Sequence, residues 1–139
     1  MWLSTTDAVN AHRIKIDHRG RITFQDCGTY LIVANANFDG GAGDFHLFYR
    51  LNSVDVPDSN VIQTISSENE VSTLVNNLAI KIQRGDYLEI VYSTTNSELG
   101  LITLVVDTTT PAPPTTPSII VRGLGDNNHY EEKNYNKQY

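Results

Sequence analysis

The 139-residue sequence is poor in cysteine, in positive charge and in long apolar runs. Its one cysteine, Cys27, excludes a disulfide within the chain. Ten Lys and Arg against 16 Asp and Glu give a net charge of −6, which argues against nucleic-acid binding. No segment approaches the ~20 apolar residues of a membrane-spanning helix, and residues 1–7 lack the basic and apolar regions of a secretory signal. We therefore expect a protein that stays in the cytosol or leaves it without a signal peptide, for instance inside a virus particle.

The composition is nevertheless that of a folded protein. Hydrophobic residues make up 40% of the chain and charged residues 19%, which predicts one domain with a real core. The charge is uneven, because residues 1–107 contain 7 basic and 13 acidic residues (7 − 13 = −6) and residues 108–139 contain three of each. An acidic body is thus followed by a neutral tail.

Hydrophobic residues alternate with polar ones along most of the body, with turn residues between the alternating segments. This period of two predicts roughly eight to ten short strands, the pattern of a β-sandwich or barrel. A helix over Glu68–Ile82 is the alternative at one point, but the spacing of its apolar residues and the pair Asn76-Asn77 favour a strand, bulged near Asn76.

Two predicted strands, Thr29–Phe38 and Leu99–Val106, are apolar on both faces at their centres. A strand of a two-layer sandwich has one face in the core, so its second apolar face needs another cover. A second copy of the same sheet is the most economical cover and predicts an oligomer. Loops or the tail are the alternative cover.

The last 32 residues, 108–139, divide into two parts. Residues 108–118 hold four of the five prolines and form a Pro/Thr-rich linker that favours an extended conformation. Residues 119–139 form a C-terminal extension. In it Ile119, Ile120 and Val121 are suited to adding an edge strand to their own body or to a neighbour, and three tyrosines are suited to contact surfaces: Tyr130, Tyr135 and Tyr139.

Three segments resemble the C1q/TNF-like domains. Residues 21–33 resemble the family's F…G-x-Y stretch, Leu51-Asn52-Ser53 its hairpin with Ser53 in place of the usual glycine, and residues 78–90 its G-D turn. The resemblance covers about residues 10–107. It implies a ten-strand jelly-roll sandwich over residues 1–107 that forms homotrimers, with an extended C-terminal tail that the family does not have.

In that family one sheet faces the three-fold axis. The resemblance therefore places both apolar strands in the inner sheet and implies a trimer interface formed by Tyr30, Ile32, Ala34, Ile102, Leu104 and Val106. Tail contacts with a neighbour or with other capsid or virion proteins fall to Ile119, Ile120, Val121, Tyr130, Tyr135 and Tyr139.

Catalytic and metal-binding patterns are weak. Arg84-Gly85-Asp86 spells an integrin-type tripeptide but reads as a tight turn. Loop aspartates such as Asp39, Asp44 and Asp55 are better explained as solvated carboxylates than as a calcium site, and the four histidines lack metal-ligand spacing. We expect no enzyme activity, cofactor, nucleic acid or membrane partner.

These features favour a structural virion protein, assembled in the host cytoplasm. It would be a trimeric phage capsid decoration, head-fibre or fibre-tip protein that acts by assembly and binding. The alternative is a C1q-like surface binding module that recognises a glycan or receptor through loops such as Asp39–Asp44 and Ser93–Glu98. An unrecognised jelly-roll enzyme is the third hypothesis.

Overall fold

The computed structural model of the protein describes residues 14–68, 70–103, 111 and 119–127. All the regular structure in these residues is antiparallel β-sheet, in two sheets that form a sandwich. Within the same ranges no helix has the length and hydropathy needed to cross a membrane. The all-β prediction is confirmed, and the segment for which a helix was the alternative is a strand over Ser72–Ile82.

The strands, in chain order, are β1 (Ile14–Ile16), β2 (Ile22–Phe24), β3 (Gly28–Asp39), β4 (Gly43–Leu51), β5 (Val54–Asp55), β6 (Val61–Ile65), β7 (Ser72–Ile82), β8 (Tyr87–Thr94), β9 (Gly100–Leu101) and β10 (Ile119–Asn127). The first sheet, called the β4 sheet below, has the order β1-β2-β8-β4, and both β5 and β6 pair with β4. The second, the β3 sheet, has β3 at its centre.

The long central strand β3 organises the second sheet. Strand β7 pairs with it in one unbroken antiparallel register, from Gly28 opposite Ile82 to Phe38 opposite Ser72. The bulge predicted near Asn76 is therefore wrong, since Asn76 lies in register opposite Ala34. Strands β9 and β10 both pair with β3 as well.

The core lies between the two sheets and follows from the alternation in the sequence. The buried hydrophobic side chains of β3 are at its even positions, from Tyr30 to Phe38, and those of β4 are at Phe45, Leu47 and Tyr49. Phe38 of one sheet stacks on Phe45 of the other, with ring centroids 4.0 Å apart and planes 6° from parallel. Such a pair adds about 1 kcal/mol to the burial of two large side chains. It fixes the sheets against each other near one end of β3.

The turn between β4 and β5 accounts for the serine that departs from the C1q/TNF-like hairpin pattern. Asn52 and Ser53 have φ values of 51° and 68°, as a two-residue hairpin turn requires. Ser53 adopts this conformation without glycine's freedom, and its hydroxyl hydrogen-bonds the Tyr87 hydroxyl at 2.6 Å. Asn52 bonds the neighbouring strand too, because its Oδ1 accepts from the Tyr87 N–H.

The predicted strand over Leu99–Val106 is shorter in the structure. Strand β9 ends at Leu101, and the Ile102 N–H donates to the Asn37 carbonyl at 2.9 Å. The next position of β3, Ala36, is paired with Ile119 of β10. If the β9 register, with Leu101 opposite Phe38, continued, Thr103 would lie opposite Ala36 instead. Leu104 and Val106 lie outside the described residues.

Strand β10 pairs with β3 although it comes from the predicted C-terminal extension. Residues 119–127 were assigned to an extension after a domain ending at residue 107. In the structure they pair with β3 over nine positions, from Ile119 opposite Ala36 to Asn127 opposite Gly28. The segment therefore supplies an edge strand to the β3 sheet.

Candidate functional site

The outward side of the strand pair β3 and β7, away from the core, carries little charge, although the register of β10 puts Arg122 and Asp126 on the same side of the sheet, opposite Val33 and Thr29. We call this side of β3 and β7 the neutral face. It is formed by alternate residues of two strands: Thr29, Leu31, Val33 and Asn35 of β3, and Thr73, Val75, Asn77, Ala79 and Lys81 of β7. The one charged residue among these nine is Lys81, at the end of β7. In a chain with a net charge of −6, a strand pair with so little charge stands out.

Large apolar side chains are exposed on this face. Leu31 is 47% exposed and Val75 is 50% exposed, while Val33 between them is half-buried. The register places Leu31 opposite Ala79 and Asn35 opposite Val75. In β3 and β7 the face therefore combines apolar and uncharged polar groups, which is the composition expected at the centre of a protein–protein interface.

The outward face of the β4 sheet is different, because charged groups pair across its strands. Arg50 lies opposite Asp55 on one side and Glu89 on the other, and its Nε is 2.6 Å from Asp55 Oδ1. The hydrogen bond to Asp55 raises the pKa of Arg50 above its ordinary value. The guanidinium of Arg50 also lies 5.6 Å from the ring centroid of Phe48. The ion pair suits a face in water, although Ile62 is also 51% exposed there. The charge on β4 and its neighbours, against the uncharged residues of β3 and β7, makes the neutral face the candidate site.

The structure places the predicted trimer-interface residues beneath this face or outside the described residues. Tyr30, Ile32 and Ala34 are 8%, 3% and 0% exposed, so their side chains fill the core of the single chain. Ile102 is half-buried beside Asn37. The side chains that β3 presents outward are those of the alternate positions, including Leu31 and Val33. The trimer itself stays a prediction.

The predicted tail contacts are also divided. Ile119 and Val121 are half-buried and pack against the core of the sandwich. Ile120 lies in β10 with Asn35 as its Cα partner. Tyr130, Tyr135 and Tyr139 lie outside the described residues.

The sequence analysis did not identify which alternate residues of β3 face outward, although the sequence contains a signal for it. The odd positions 35 and 37 are asparagines, whereas the even positions 34, 36 and 38 are Ala, Ala and Phe. A core tolerates the second set better, so the asparagines mark the outward parity and assign Leu31 and Val33 to it. Val75 follows in the same way, because it lies opposite Asn35.

Two loops that we predicted as a ligand surface come together at one end of the sandwich. The Asp44 N–H donates to Thr95 Oγ1 at 2.8 Å, and the Thr95 N–H donates to the Asp44 carbonyl at 3.1 Å. Asn96 Nδ2 donates to the Ala42 carbonyl at 2.9 Å. The glycine loop and the turn after β8 thus form one connected surface.

The loop carboxylates are held by protein groups. Asp44 Oδ1 accepts from Thr64 Oγ1 at 2.7 Å, and Asp55 pairs with Arg50. In the part of the chain that the structure describes, no three His, Cys, Asp or Glu residues gather as metal ligands would. His46 bonds the Asn60 amide through Nδ1 at 3.0 Å, beside Ser93 on the rim of a shallow hollow with Phe48.

The Arg84-Gly85-Asp86 turn is a tight turn, as predicted. Gly85 has a φ of 89°, which L-residues with side chains rarely adopt. Asp86 Oδ2 accepts from the Gln83 N–H at 2.8 Å, and its Oδ1 accepts from Asn52 Nδ2 at 2.9 Å. The carboxylate of the tripeptide therefore joins two turns of its own chain.

A scan of protein-family models and a search of curated proteins found no match to this chain.

Proposed function

We propose that the chain is a structural assembly protein that forms a homotrimer through the neutral face. The observation that carries this proposal is the contrast between the two outward faces of the sandwich. One carries the ion pair Arg50–Asp55, and on the other the strands β3 and β7 expose Leu31 and Val75 among uncharged residues, with Lys81 at the end of β7. Exposed apolar surface of this kind marks interaction sites.

The charge of the chain argues for a second copy as the occupant of the face. Each copy carries −6, so two copies repel each other wherever their acidic surfaces meet. The neutral face avoids this repulsion. The small, uncharged side chains of Thr73, Asn77 and Ala79 also let another sheet approach closely.

The finer fold assignment, a C1q/TNF-like jelly roll, belongs to the same proposal. The chain passes from β3 in one sheet to β4 and β6 in the other, returns to β7, and crosses again to β8 before β9 and β10. Such repeated crossing between two antiparallel sheets supports a jelly-roll topology. The trimer follows the resemblance in residues 21–33, 51–53 and 78–90.

Matched charge substitutions test the proposed interface. Val75 and Ile62 are both β-branched strand residues, 50% and 51% exposed, on the outward faces of opposite sheets. Val75→Asp buries a carboxylate in the proposed interface, so we expect it to shift the mass in light scattering from three chains to one. Ile62→Asp is expected to remain a trimer. Equal behaviour of the two folded variants, both trimeric or both monomeric, would contradict an interface at the neutral face.

The setting that we propose for the trimer is a virus particle, as a phage capsid decoration, head-fibre or fibre-tip protein. Support for this step is the trimeric jelly-roll resemblance together with the Pro/Thr-rich segment that follows the body. Gold-labelled antibody against the chain should decorate purified particles of its source at regular positions. Particles that contain no copy of the chain by mass spectrometry would overturn the assignment.

The alternative function, a C1q-like surface module that binds a glycan or receptor, is favoured by one observation. The two loops expected to contact a ligand are joined by hydrogen bonds between Asp44 and Thr95 and between Asn96 and Ala42. This function predicts that the chain binds a glycan on an array and that Asp44→Ala weakens this binding. Val75→Asp, by contrast, should leave the binding of a monomeric module unchanged. An array without a reproducible signal would rule out the glycan form.

A further inference from the structure

We infer that strand β10 is exchanged between copies, so that Ile119–Asn127 of one chain completes the β3 sheet of a neighbour. This inference rests on the homotrimer proposed above and specifies how its chains are joined. The docking site is the edge of β3 from Gly28 to Ala36, and the occupant is the same strand of a second copy.

The starting observation is that β9 and β10 occupy consecutive stretches of one edge. The Ile102 N–H bonds the Asn37 carbonyl, and Ile119 pairs with Ala36, the adjacent residue of β3. Neighbouring residues in a strand are about 3.3 Å apart along it. Yet 16 residues, 103–118, separate Ile102 from Ile119 in the sequence. In a single closed chain these residues must leave the edge and return to almost the same point.

The composition of the intervening chain opposes such a return. Four of its 16 residues are prolines: Pro111, Pro113, Pro114 and Pro117. Chains of this kind favour the polyproline II conformation at about 3.1 Å per residue, so the 12 residues 107–118 alone favour a reach of roughly 37 Å. Such a reach suits a connection to a neighbouring subunit better than a closed loop.

Exchange preserves the contacts that hold β10. A neighbour's β10 pairs with β3 over the same nine positions, and its Ile119 and Val121 pack on the core in the same way. The free energy of these contacts is therefore nearly equal in the closed and exchanged forms. The balance then depends on the linker and on association, which is the usual condition for strand swapping in oligomers.

A disulfide between strands distinguishes the two forms. Ala34 and Val121 are Cα partners, and paired residues in antiparallel sheets lie about 4.5–5.5 Å apart, within the range of a disulfide. We would place cysteines at both positions in a full-length chain that also carries Cys27→Ser, and oxidise the purified protein. Exchange predicts a covalent trimer on a non-reducing denaturing gel, because each bond joins two chains in a ring of three.

Two other results would overturn the exchange. A cross-linked product at the mass of one chain would show that β10 pairs within its own chain. Thiols that stay free in a folded trimer would show that β10 does not pair with β3 in this way. The control is Lys15→Cys with Thr23→Cys, Cα partners in the hairpin β1–β2, which should give only monomer-sized bands. Light scattering on the same samples separates the two proposals, since a mass of one chain contradicts the trimer itself.

Discussion

The hydroxyl of Tyr49 donates a hydrogen bond to the backbone carbonyl of Asn76 across the core, at 2.8 Å. The Asn76 side chain in turn donates hydrogen bonds from Nδ2 to the backbone carbonyls of Leu47 and Ser59, both at 2.7 Å. A further hydrogen bond, from the Tyr49 N–H to Ser59 Oγ at 3.1 Å, connects the remaining two residues of this network. These buried groups link β4, β7 and the loop before β6, and none of the buried side-chain polar atoms among the described residues lacks a partner. We call this set the polar clamp.

Removing the Asn76 side chain should destabilise the fold strongly. Asn76→Ala leaves the buried carbonyls of Leu47 and Ser59 without their donor, and each unpaired buried group costs about 1–3 kcal/mol. We expect the free energy of unfolding to fall by roughly 2–4 kcal/mol, measured by urea unfolding at fixed protein concentration. The control Asn60→Ala changes an exposed asparagine and should cost no more than about 0.5 kcal/mol. Similar losses in the two variants would remove the energetic role assigned to the polar clamp.

The Tyr49 phenol should make the fold sensitive to alkali. Burial raises the pKa of Tyr49 well above its ordinary value of about 10. Because the folded-state pKa is the higher one, this stabilisation is complete below the unfolded pKa and is lost as the pH rises beyond it. The urea midpoint should therefore stay nearly constant up to about pH 10, the ordinary tyrosine value, and fall continuously as the pH rises above it. Tyr49→Phe should show a smaller drop. Tyr92→Phe, which changes a half-buried tyrosine stacked on Phe45, should retain the full drop. Identical profiles for all three proteins would contradict this account.

The glycine loop should be intolerant of side chains at one position. Gly40 has a φ of 106°, and a Cβ built on it collides with the backbone carbonyl of Glu98. Gly85→Ala shares the unfavourable φ but meets open space, and Gly100→Ala meets neither problem. We expect a loss of about 1 kcal/mol for Gly85→Ala, a clearly larger loss for Gly40→Ala and little change for Gly100→Ala. Thermal unfolding of the three variants checks this order, and a Gly40→Ala variant as stable as Gly100→Ala would show that the loop adjusts freely.

The sequence predicted the strands well because their signal is local. The predicted strand Thr29–Phe38 matches β3 to within one residue at each end, and turn residues such as Gly85 marked the breaks between strands. Asn76 was mistaken for the sign of a bulge. Its hydrogen-bond partners, Ser59 and Leu47, lie 17 and 29 residues away along the chain. No local sequence pattern indicates a buried polar side chain whose hydrogen bonds are made across the core.

Two features of the candidate site escaped prediction for physical reasons. Residues 104–106 and 119–121 are both apolar and β-prone, and only three-dimensional pairing decides which of the two segments continues along β3 after Ile102. The outward face of β3 was also hard to assign, because both faces are apolar at the centre and either the odd or the even positions could have faced the core. The asparagines at 35 and 37 carried that information, and Leu31 follows from them.

The central claim is that the neutral face joins copies of the chain, and the mass of the full-length protein in solution tests it most directly. Static light scattering after size exclusion should give about three times the chain mass of 15.5 kDa (3 × 15.5 = 46.5 kDa). That mass should hold over a tenfold dilution of the sample, as expected for a stable trimer. A mass of 15.5 kDa at all concentrations would contradict the account, because Leu31 and Val75 would then be exposed without a copy to cover them.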